Sequence, residues 1–208
     1  MHNSLPHYWQ DACKELAKKD KVMKKLIRKY EDAKLTSRGD AFQTLARSIV
    51  GQQLSVKAAQ TIWDRFAALT STITPYDVLQ IKEEALRQAG LSQRKCEYLK
   101  ALAVSFDDGT LTPDKWEDMT DDEITDQLVS LRGIGRWTAH MFLIFYLMRP
   151  DVYPTDDLGL LRGIGKCYFD SNGVNSNQIK EIGLLWTPWR TVGTWYIWRD
   201  LDPMPVEY

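Results

Sequence analysis

The stretch that decides the fold is Leu131-Arg132-Gly133-Ile134-Gly135-Arg136-Trp137-Thr138-Ala139. A helix-forming segment, residues 121–130, precedes it, and a nearly continuous apolar run up to Met148 follows it and favours a central, buried helix. The two glycines allow a tight turn, and the first N–H groups of the following helix are then open to an anion. A nucleotide-binding loop would need a preceding strand and a third glycine, where this chain has Thr138. The stretch therefore predicts two helices joined by a turn that is either plain or able to contact a phosphate.

The surrounding sequence also reads as helices joined by short loops. Ser55 is placed to cap a helix that continues to Leu69. Gly90 is placed to end a helix, and Ser92 and Thr120 are placed to begin two others. No stretch shows sustained period-two alternation, so we predict an all-α fold.

Composition excludes several classes of protein. The 208 residues are 44% hydrophobic and 26% charged, which excludes wholesale disorder. Three scattered cysteines exclude a disulfide scaffold, and neither a signal pattern nor an 18-residue apolar run is present, so we expect neither secretion nor a membrane. Net charge is −1, but residues 1–35 hold nine Lys/Arg and five acids, whereas residues 107–126 hold nine acids and one Lys. This division indicates either a positive face or two solvated helix faces.

The glycine turn resembles the helix-hairpin-helix of the DNA glycosylase superfamily, and specifically its alkylation-repair branch, the 3-methyladenine DNA glycosylase II (AlkA-like) enzymes. Four further blocks resemble that family in the same order: residues 47–59, 89–95, 153–157 and 186–198. The resemblance covers roughly residues 40–200. It implies a two-lobed helical fold without the N-terminal β domain of longer members and without an iron–sulfur cluster.

The domain prediction is a single helical unit over residues 1–208. One lobe is expected mainly from about residues 40–130. The other lobe is expected from the N-terminal helices plus about residues 131–208. The hairpin is expected over residues 121–148.

A pair of aspartates, in Pro154-Thr155-Asp156-Asp157, provides the candidate chemistry. Cleavage of an N-glycosidic bond develops positive charge on the sugar, which a nearby carboxylate stabilises while it orients water. Either aspartate could instead be a helix cap, and the residues alone do not separate the two. The resemblance implies that Asp157 is catalytic and that Asp156 supports the turn.

Position 137 bears on the outcome of the reaction. Bifunctional relatives carry a lysine where this chain has Trp137, so we expect no Schiff base, no lyase activity and an abasic-site product. The resemblance also implies that Trp137 and Trp198 line a base pocket. Met141 and Leu158 stand where some relatives have tyrosines, and Met141 is equally compatible with the core. Alkylated purines such as 3-methyladenine and 7-methylguanine are cationic and suit aromatic faces, so we expect them as substrates.

The resemblance further implies contacts with double-stranded DNA. The expected contacts are Gly133, Gly135, Arg136 and Thr138 in the hairpin, with Gln53, or alternatively Leu54, as the wedge behind a flipped base. Gln53 could equally be a polar loop residue beside the Ser55 cap. A structural Na⁺ or K⁺ is expected on the backbone carbonyls of Val129, Leu131 and Ile134. We expect no required cofactor and no catalytic metal, because His2, His7 and His140 lack metal-ligand spacing.

The full expectation is a monomeric base-excision repair enzyme, cytoplasmic at the nucleoid in a bacterium and nuclear in a eukaryote. The alternatives are a glycosylase for another damaged or mismatched base, such as uracil or oxidised guanine, and a non-catalytic DNA-binding module. A second copy of the glycine motif, Leu161–Gly165, follows the aspartates. We interpret it as the end of their helix and not as a second DNA clamp.

Overall fold

The computed structural model describes residues 5–32, 35–37, 39–171 and 173–201, and within them all regular structure is helical. The all-α prediction is confirmed. The helices of the described residues are α1 (Trp9–Lys19), α2 (Lys21–Lys29), α3 (Ala41–Gly51), α4 (Val56–Ala67), α5 (Pro75–Gln80), α6 (Glu83–Gln88), α7 (Gln93–Asp107), α8 (Asp121–Val129), α9 (Arg136–Phe145), α10 (Leu158–Tyr168), α11 (Ser176–Trp186) and α12 (Arg190–Leu201), with a 3₁₀ turn at Pro113–Lys115.

The predicted helix caps are present. The Ser92 hydroxyl accepts a hydrogen bond from the Lys95 amide, and Thr120 forms a reciprocal capping box with Glu123. Ser55 caps α4, which ends at Ala67, two residues earlier than predicted. These local side-chain contacts satisfy amides that the helix leaves without partners, so the sequence sets where the helices begin.

The chain divides into two compact units. The first unit contains the described residues before Gly39 and after Phe142, and the second contains Gly39–Phe142. The sequence predicts that the hairpin turn lies in the lobe that contains about residues 131–208. The turn instead belongs to the second unit, because Ile134 is buried there and the Gln52 side chain donates a hydrogen bond to the Gly133 carbonyl.

The first unit is built around α1, α2, α10 and α12, with α1 against α2 and α10 against α12. Asp20 is buried at the start of α2, where its Oδ1 accepts from two α2 amides. Its Oδ2 accepts from the Tyr168 hydroxyl at 2.5 Å and from the Trp186 indole N–H at 3.1 Å. One buried carboxylate thus links the N-terminus of α2 to the C-termini of α10 and α11.

The second unit packs α7 against α3 and α5. Its core contains Leu45, Leu99 and Trp116, all fully buried, and the Trp116 ring meets Phe142 edge-on at 5.1 Å between ring centroids. The Lys100 ammonium donates to three carbonyls at and just beyond the end of α5, including that of Ile81 at 2.6 Å. Burial lowers the pKa of Lys100.

Three details differ from the sequence expectations. The helix predicted to reach Met148 ends at Phe145, and Met148 adopts a positive φ of 55°. Trp137 and His140 are only half-buried, so α9 is not enclosed on every side. The second glycine motif, Leu161–Gly165, lies inside α10, which continues to Tyr168.

Candidate active site

Asp157 occupies the N-cap of α10. A tight turn precedes it, in which the Asp157 amide donates to the Pro154 carbonyl at 3.0 Å. The Asp157 side chain then accepts from the Leu160 amide, with 2.6 Å between Oδ1 and N. Asp157 is only 8% exposed to solvent, whereas the neighbouring Asp156 is exposed. The structure therefore separates two aspartates that the sequence left equivalent.

A tryptophan holds the same carboxylate oxygen from a second direction. The indole Nε1 of Trp198 donates to Asp157 Oδ1 at 2.8 Å. The ring of Phe145 stacks on the Trp198 ring at 6.0 Å and 15°. Two donors from different helices thus fix the rotamer of Asp157, and one face of the indole is already covered.

Gly159 makes room for this pair. A Cβ at this position would lie 3.1 Å from Asp157 Oδ1 and 3.6 Å from the Trp198 ring. Contacts at 3.1 Å are closer than a methyl group and an oxygen normally tolerate. The close approach of the carboxylate and the indole therefore depends on a glycine at position 159.

The carboxylate of Asp157, held by Leu160 and Trp198, is suited to a catalytic role as well as to capping α10. A buried, oriented carboxylate stabilises positive charge that develops on a neighbouring group and can position a water molecule. Trp198 was predicted as a stacking wall of a base pocket. The structure adds a second role, because its N–H is engaged by the carboxylate.

The hairpin turn between α8 and α9 lies in the second unit. Gly133 has a φ of 96°, and a Cβ there would fall 2.3 Å from the Tyr98 ring. Gly135 is exposed with open space where a Cβ would be. Arg136 is also exposed, and its guanidinium is 4.0 Å from Asp126. The turn thus presents an unobstructed backbone at the start of α9.

Thr138 differs from its neighbours in the hairpin. It is 5% exposed, so its side chain is not on the surface. The amides of the first turn of α9 have no intrahelical acceptors. Any phosphate contact from this position would therefore involve the backbone N–H and not the hydroxyl, and the predicted DNA contact of Thr138 stays a prediction.

The loop that carries the candidate wedge is tied to the hairpin. The Lys95 ammonium donates to the carbonyls of Val50 and Gln52 at 2.7 and 2.8 Å, and the Gln52 amide nitrogen donates to the Gly133 carbonyl at 2.8 Å. Burial lowers the pKa of Lys95. Gln53 follows with a positive φ of 57° and an exposed side chain.

Sequence reasoning missed Gln52 and Lys95 as individual residues. Both stood inside the matched blocks, but only the fold shows that they join the loop to the turn. Lysine side chains often donate to the last carbonyls of a helix. Here, however, Lys95 lies 43 residues from Gln52 in the sequence, so spacing alone does not pair them. The neighbouring Leu54 is 38% exposed, so the structure leaves both wedge candidates on the surface.

Trp137 and Met141 lie four residues apart on α9 in the second unit. Trp137 is half-buried, and Met141 is 3% exposed. Asp157 and Trp198 lie in the first unit, where they are in contact. A base pocket that includes Trp137 and Met141 stays a prediction.

Of the residues whose carbonyls are predicted to hold a monovalent cation, Val129 ends α8, whereas Leu131 and Ile134 lie in the turn before α9. The Ser130 amide satisfies the Asp126 carbonyl, and the Leu131 carbonyl accepts from Ile134 at 3.1 Å. Val129 is the last residue of α8, where the helix dipole favours a cation. Carbonyl oxygens are donors of the kind that Na⁺ and K⁺ accept, and an ion at these three positions stays a prediction.

Among the described residues, no group of three or more His, Cys, Asp or Glu side chains is arranged to hold a metal ion. His2 lies outside the described residues. No helix in the described part of the chain has the length and apolar character needed to cross a membrane.

The glycine turn between two helices and the buried aspartate that follows it are features of a DNA repair glycosylase, and the comparison with known proteins gives the same class. Residues 46–189 match the model of the HhH-GPD superfamily of base excision DNA repair proteins. The chain belongs to this helix-hairpin-helix family.

Named relatives fall within its alkylation-repair members. The chain is 31% identical to DNA-3-methyladenine glycosylase 1 of Schizosaccharomyces pombe over 183 residues, 86% of this chain and 80% of the relative. Its structure is similar to the crystal structure of a DNA-3-methyladenine glycosidase from Bacillus halodurans, with a TM-score of 0.81 and 34% sequence identity. The match covers 92% of this chain and 89% of that chain. A 3-methyladenine DNA glycosylase of S. pombe in complex with abasic DNA is also similar, with a TM-score of 0.80, 28% identity and coverage of 94% and 99%.

Proposed function

We propose that this protein is a monofunctional DNA glycosylase that hydrolyses the N-glycosidic bond of alkylated purines and leaves an abasic site. The observation that carries the proposal is the carboxylate of Asp157, which is buried and held by donors from Leu160 and Trp198. Membership of the base-excision family and the names of the relatives support the same reaction.

The carboxylate supplies electrostatic stabilisation. As the bond between the base and C1′ breaks, positive charge develops on the sugar, and Asp157 offsets it. Water then adds to C1′, and the same carboxylate can accept its proton. A 3-methyladenine or 7-methylguanine base is already cationic, so it departs without protonation by a dedicated acid.

The chain lacks the amine that strand cleavage would need at the hairpin. Trp137 occupies the position of the lysine nucleophile of bifunctional relatives, and Arg136 stays protonated and cannot attack the sugar. The product is therefore an abasic site on an intact strand.

Double-stranded DNA is the proposed partner of a monomeric enzyme. The backbone at the exposed Gly135 and the first amides of α9 contact phosphates without reading sequence. Arg136 adds an exposed positive charge beside them. Gln53 fills the gap behind the extruded base, with Leu54 as the alternative, and Trp198, beside Asp157, recognises the base.

A Na⁺ or K⁺ ion on the carbonyls of Val129, Leu131 and Ile134 would hold the hairpin in shape and offset phosphate charge. It takes no part in bond cleavage. Replacing both ions with choline is expected to weaken DNA binding and leave single-turnover base release at saturating enzyme unchanged. Equal binding in choline and K⁺ would contradict the assignment.

The experiment that tests the function is base release from methylated duplex DNA, followed chromatographically, with strand breakage scored before and after alkali. Release of 3-methyladenine or 7-methylguanine, with strands intact until alkali, is the expected result. Release of uracil or oxidised guanine instead would identify another lesion as substrate. Salt-sensitive DNA binding without release of any base would identify a non-catalytic module.

A further inference from the structure

The solvent face of α2 is entirely cationic. Lys21, Lys24, Lys25 and Arg28 recur with the spacing of one helical stripe, and all four are exposed. Met23 and Leu26 on the opposite face are buried. We call these four cations the α2 stripe.

No ion pair among the described residues engages the α2 stripe. Helix α2 contains no Asp or Glu, and among the described residues none of its four cations forms an ion pair or a side-chain hydrogen bond. The nearby Asp20 is buried and bound to backbone amides, Tyr168 and Trp186. The stripe therefore faces solvent without an ion-pair partner among the described residues, and the next acids along the chain are Glu31 and Asp32, after the end of α2.

The positive surface extends to the end of α10. Lys29 and Lys166 both contact Asp200, at 2.7 and 3.8 Å, and Lys166 is exposed. Burial raises the pKa of Cys167, as does Asp200, and Lys166, Lys29 and Lys25 counteract that rise. Lys29 and Lys166 thus share a single carboxylate, and two cations against one acid leave the local charge positive.

Internal stability does not explain this arrangement. Like charges three and four residues apart on a helix repel and destabilise it. The protein as a whole is not basic, because its net charge is −1 and its acids are concentrated elsewhere in the sequence. A concentration of positive charge in an otherwise neutral protein is the footprint of a polyanion-binding surface.

The α2 stripe is remote from the candidate active site. Asp157 begins α10, and Tyr168 ends it and donates to Asp20 at the start of α2. At 1.5 Å per residue, α10 spans about 16 Å between these ends. The start of α2 therefore lies at the opposite end of α10 from Asp157. In the sequence, the stripe is also far from the hairpin.

We propose that the α2 stripe is a second, sequence-independent binding surface for the phosphate backbone of duplex DNA, distinct from the hairpin and from Asp157. Its phosphates come either from the flank of the duplex that carries the lesion or from a second duplex segment. The proposal goes beyond the proposed function, because glycosidic bond cleavage does not need this surface.

Charge neutralisation tests the proposal. The variant Lys21→Gln/Lys24→Gln/Lys25→Gln/Arg28→Gln removes four charges. The matched control removes four exposed charges from other helices and loops, as Arg65→Gln/Lys82→Gln/Lys115→Gln/Lys180→Gln. Thermal unfolding of both variants checks that each is folded, and the stripe variant is expected to be at least as stable as wild type.

The readout is the salt dependence of binding to an undamaged 30-base-pair duplex. Each lost phosphate contact reduces the magnitude of the slope of log K against log salt by about 0.9. The magnitude of this slope is therefore expected to be smaller by roughly two to four in the stripe variant than in the wild type. The control is expected to lose less than about one unit. An unchanged slope in the stripe variant, or an equal loss in the control, overturns the proposal.

Two further arms identify the source of the phosphates. If the stripe contacts the flank, its neutralisation weakens binding to the long duplex and not to a duplex of about 10 base pairs. If it holds a second segment, competitor duplex accelerates dissociation of the wild type and not of the variant. If both arms leave the stripe variant equal to wild type, the proposal fails.

Single-turnover base release separates this proposal from the proposed function. At saturating enzyme, the stripe variant is expected to release bases at the wild-type rate. If the wild type releases no base but the slope still falls, the surface is real and the proposed function is wrong. If the wild type is active and the slope is unchanged, the surface proposal alone fails.

Discussion

The indole N–H of Trp198 donates to the carboxylate of Asp157 across 2.8 Å, and the same oxygen accepts from the Leu160 amide. A helix cap needs only the amide. The second donor fixes which oxygen the helix holds and limits the rotation of the carboxylate. In the proposed reaction, Trp198 is a positioning residue for Asp157 as well as part of the base pocket.

Replacing Trp198 with phenylalanine removes the donor and keeps an aromatic ring against Phe145. Hydrogen bonds to charged groups contribute about 1.5–3 kcal/mol, so base release is expected to slow roughly 10- to 150-fold. DNA affinity is expected to change less than about threefold, because the N–H contacts protein and not phosphate. Single-turnover kinetics at saturating enzyme, with a separate binding titration, measures both.

The control is Trp189→Phe in the same unit. Trp189 also donates its indole N–H to a carboxylate, that of Glu15 at 2.7 Å. Its loss is expected to leave the rate of base release within about twofold of wild type, since neither residue touches Asp157. Equal rate losses in the two variants would show that Trp198 acts only through stability.

Gly159→Ala separates activity from stability. Alanine favours the helix by about 0.5–1 kcal/mol, but its Cβ would lie 3.1 Å from Asp157 Oδ1. We expect a melting temperature within a few degrees of wild type and a base-release rate reduced at least about fivefold. Wild-type activity in Gly159→Ala would contradict the requirement for close approach at the carboxylate.

The two hairpin glycines are expected to respond differently to alanine. Gly133→Ala forces a Cβ into the Tyr98 ring at a positive φ, so it is expected to lower the free energy of unfolding by roughly 2 kcal/mol or more. Gly135→Ala meets no atom within 4 Å and is expected to leave stability nearly unchanged while weakening DNA binding. Denaturant unfolding and a binding titration check the pair. Equal stability losses would contradict the packing difference.

Gln53 and Leu54 are tested by the cost of base extrusion. Gln53→Ala is expected to slow release of a lesion from a paired duplex roughly tenfold, and to have little effect when the lesion is in a single strand or a bulge. Leu54→Ala is the matched comparison. If only Leu54→Ala shows the dependence on pairing, Leu54 is the wedge. If both variants behave like wild type, neither residue fills the gap.

Local signals in the sequence were sufficient for the fold class. Ser92, Thr120 and Gly90 begin or end helices through contacts with residues a few positions away, and these predictions are confirmed. The hairpin was recognisable from its two glycines, of which Gly133 is required by its positive φ and by the Tyr98 ring beside it. The extent of α9 was overestimated, because apolar residues continue beyond Phe145 although the backbone turns at Met148.

The relationships that organise the site are long-range and were not predictable from spacing. Trp198 lies 41 residues from Asp157, and Lys95 lies 43 residues from Gln52. The sequence alone did not distinguish Asp156 from Asp157, because the burial of each side chain depends on how α10 packs and not on the identity of the two adjacent residues. Position in the family pattern nominated Asp157, and the fold shows that it alone of the pair is buried and doubly held.

The most direct test of the account compares Asp157→Asn with Asp156→Asn in single-turnover release of 3-methyladenine or 7-methylguanine from duplex DNA. Asparagine caps a helix as well as aspartate does, so both variants are expected to unfold at nearly the wild-type temperature. Asp157→Asn is expected to slow release about 100- to 1000-fold while still binding DNA, and Asp156→Asn is expected to remain within about threefold of wild type. Wild-type rates in a folded Asp157→Asn, or an equal loss in Asp156→Asn, would contradict the assignment of Asp157 as the catalytic carboxylate.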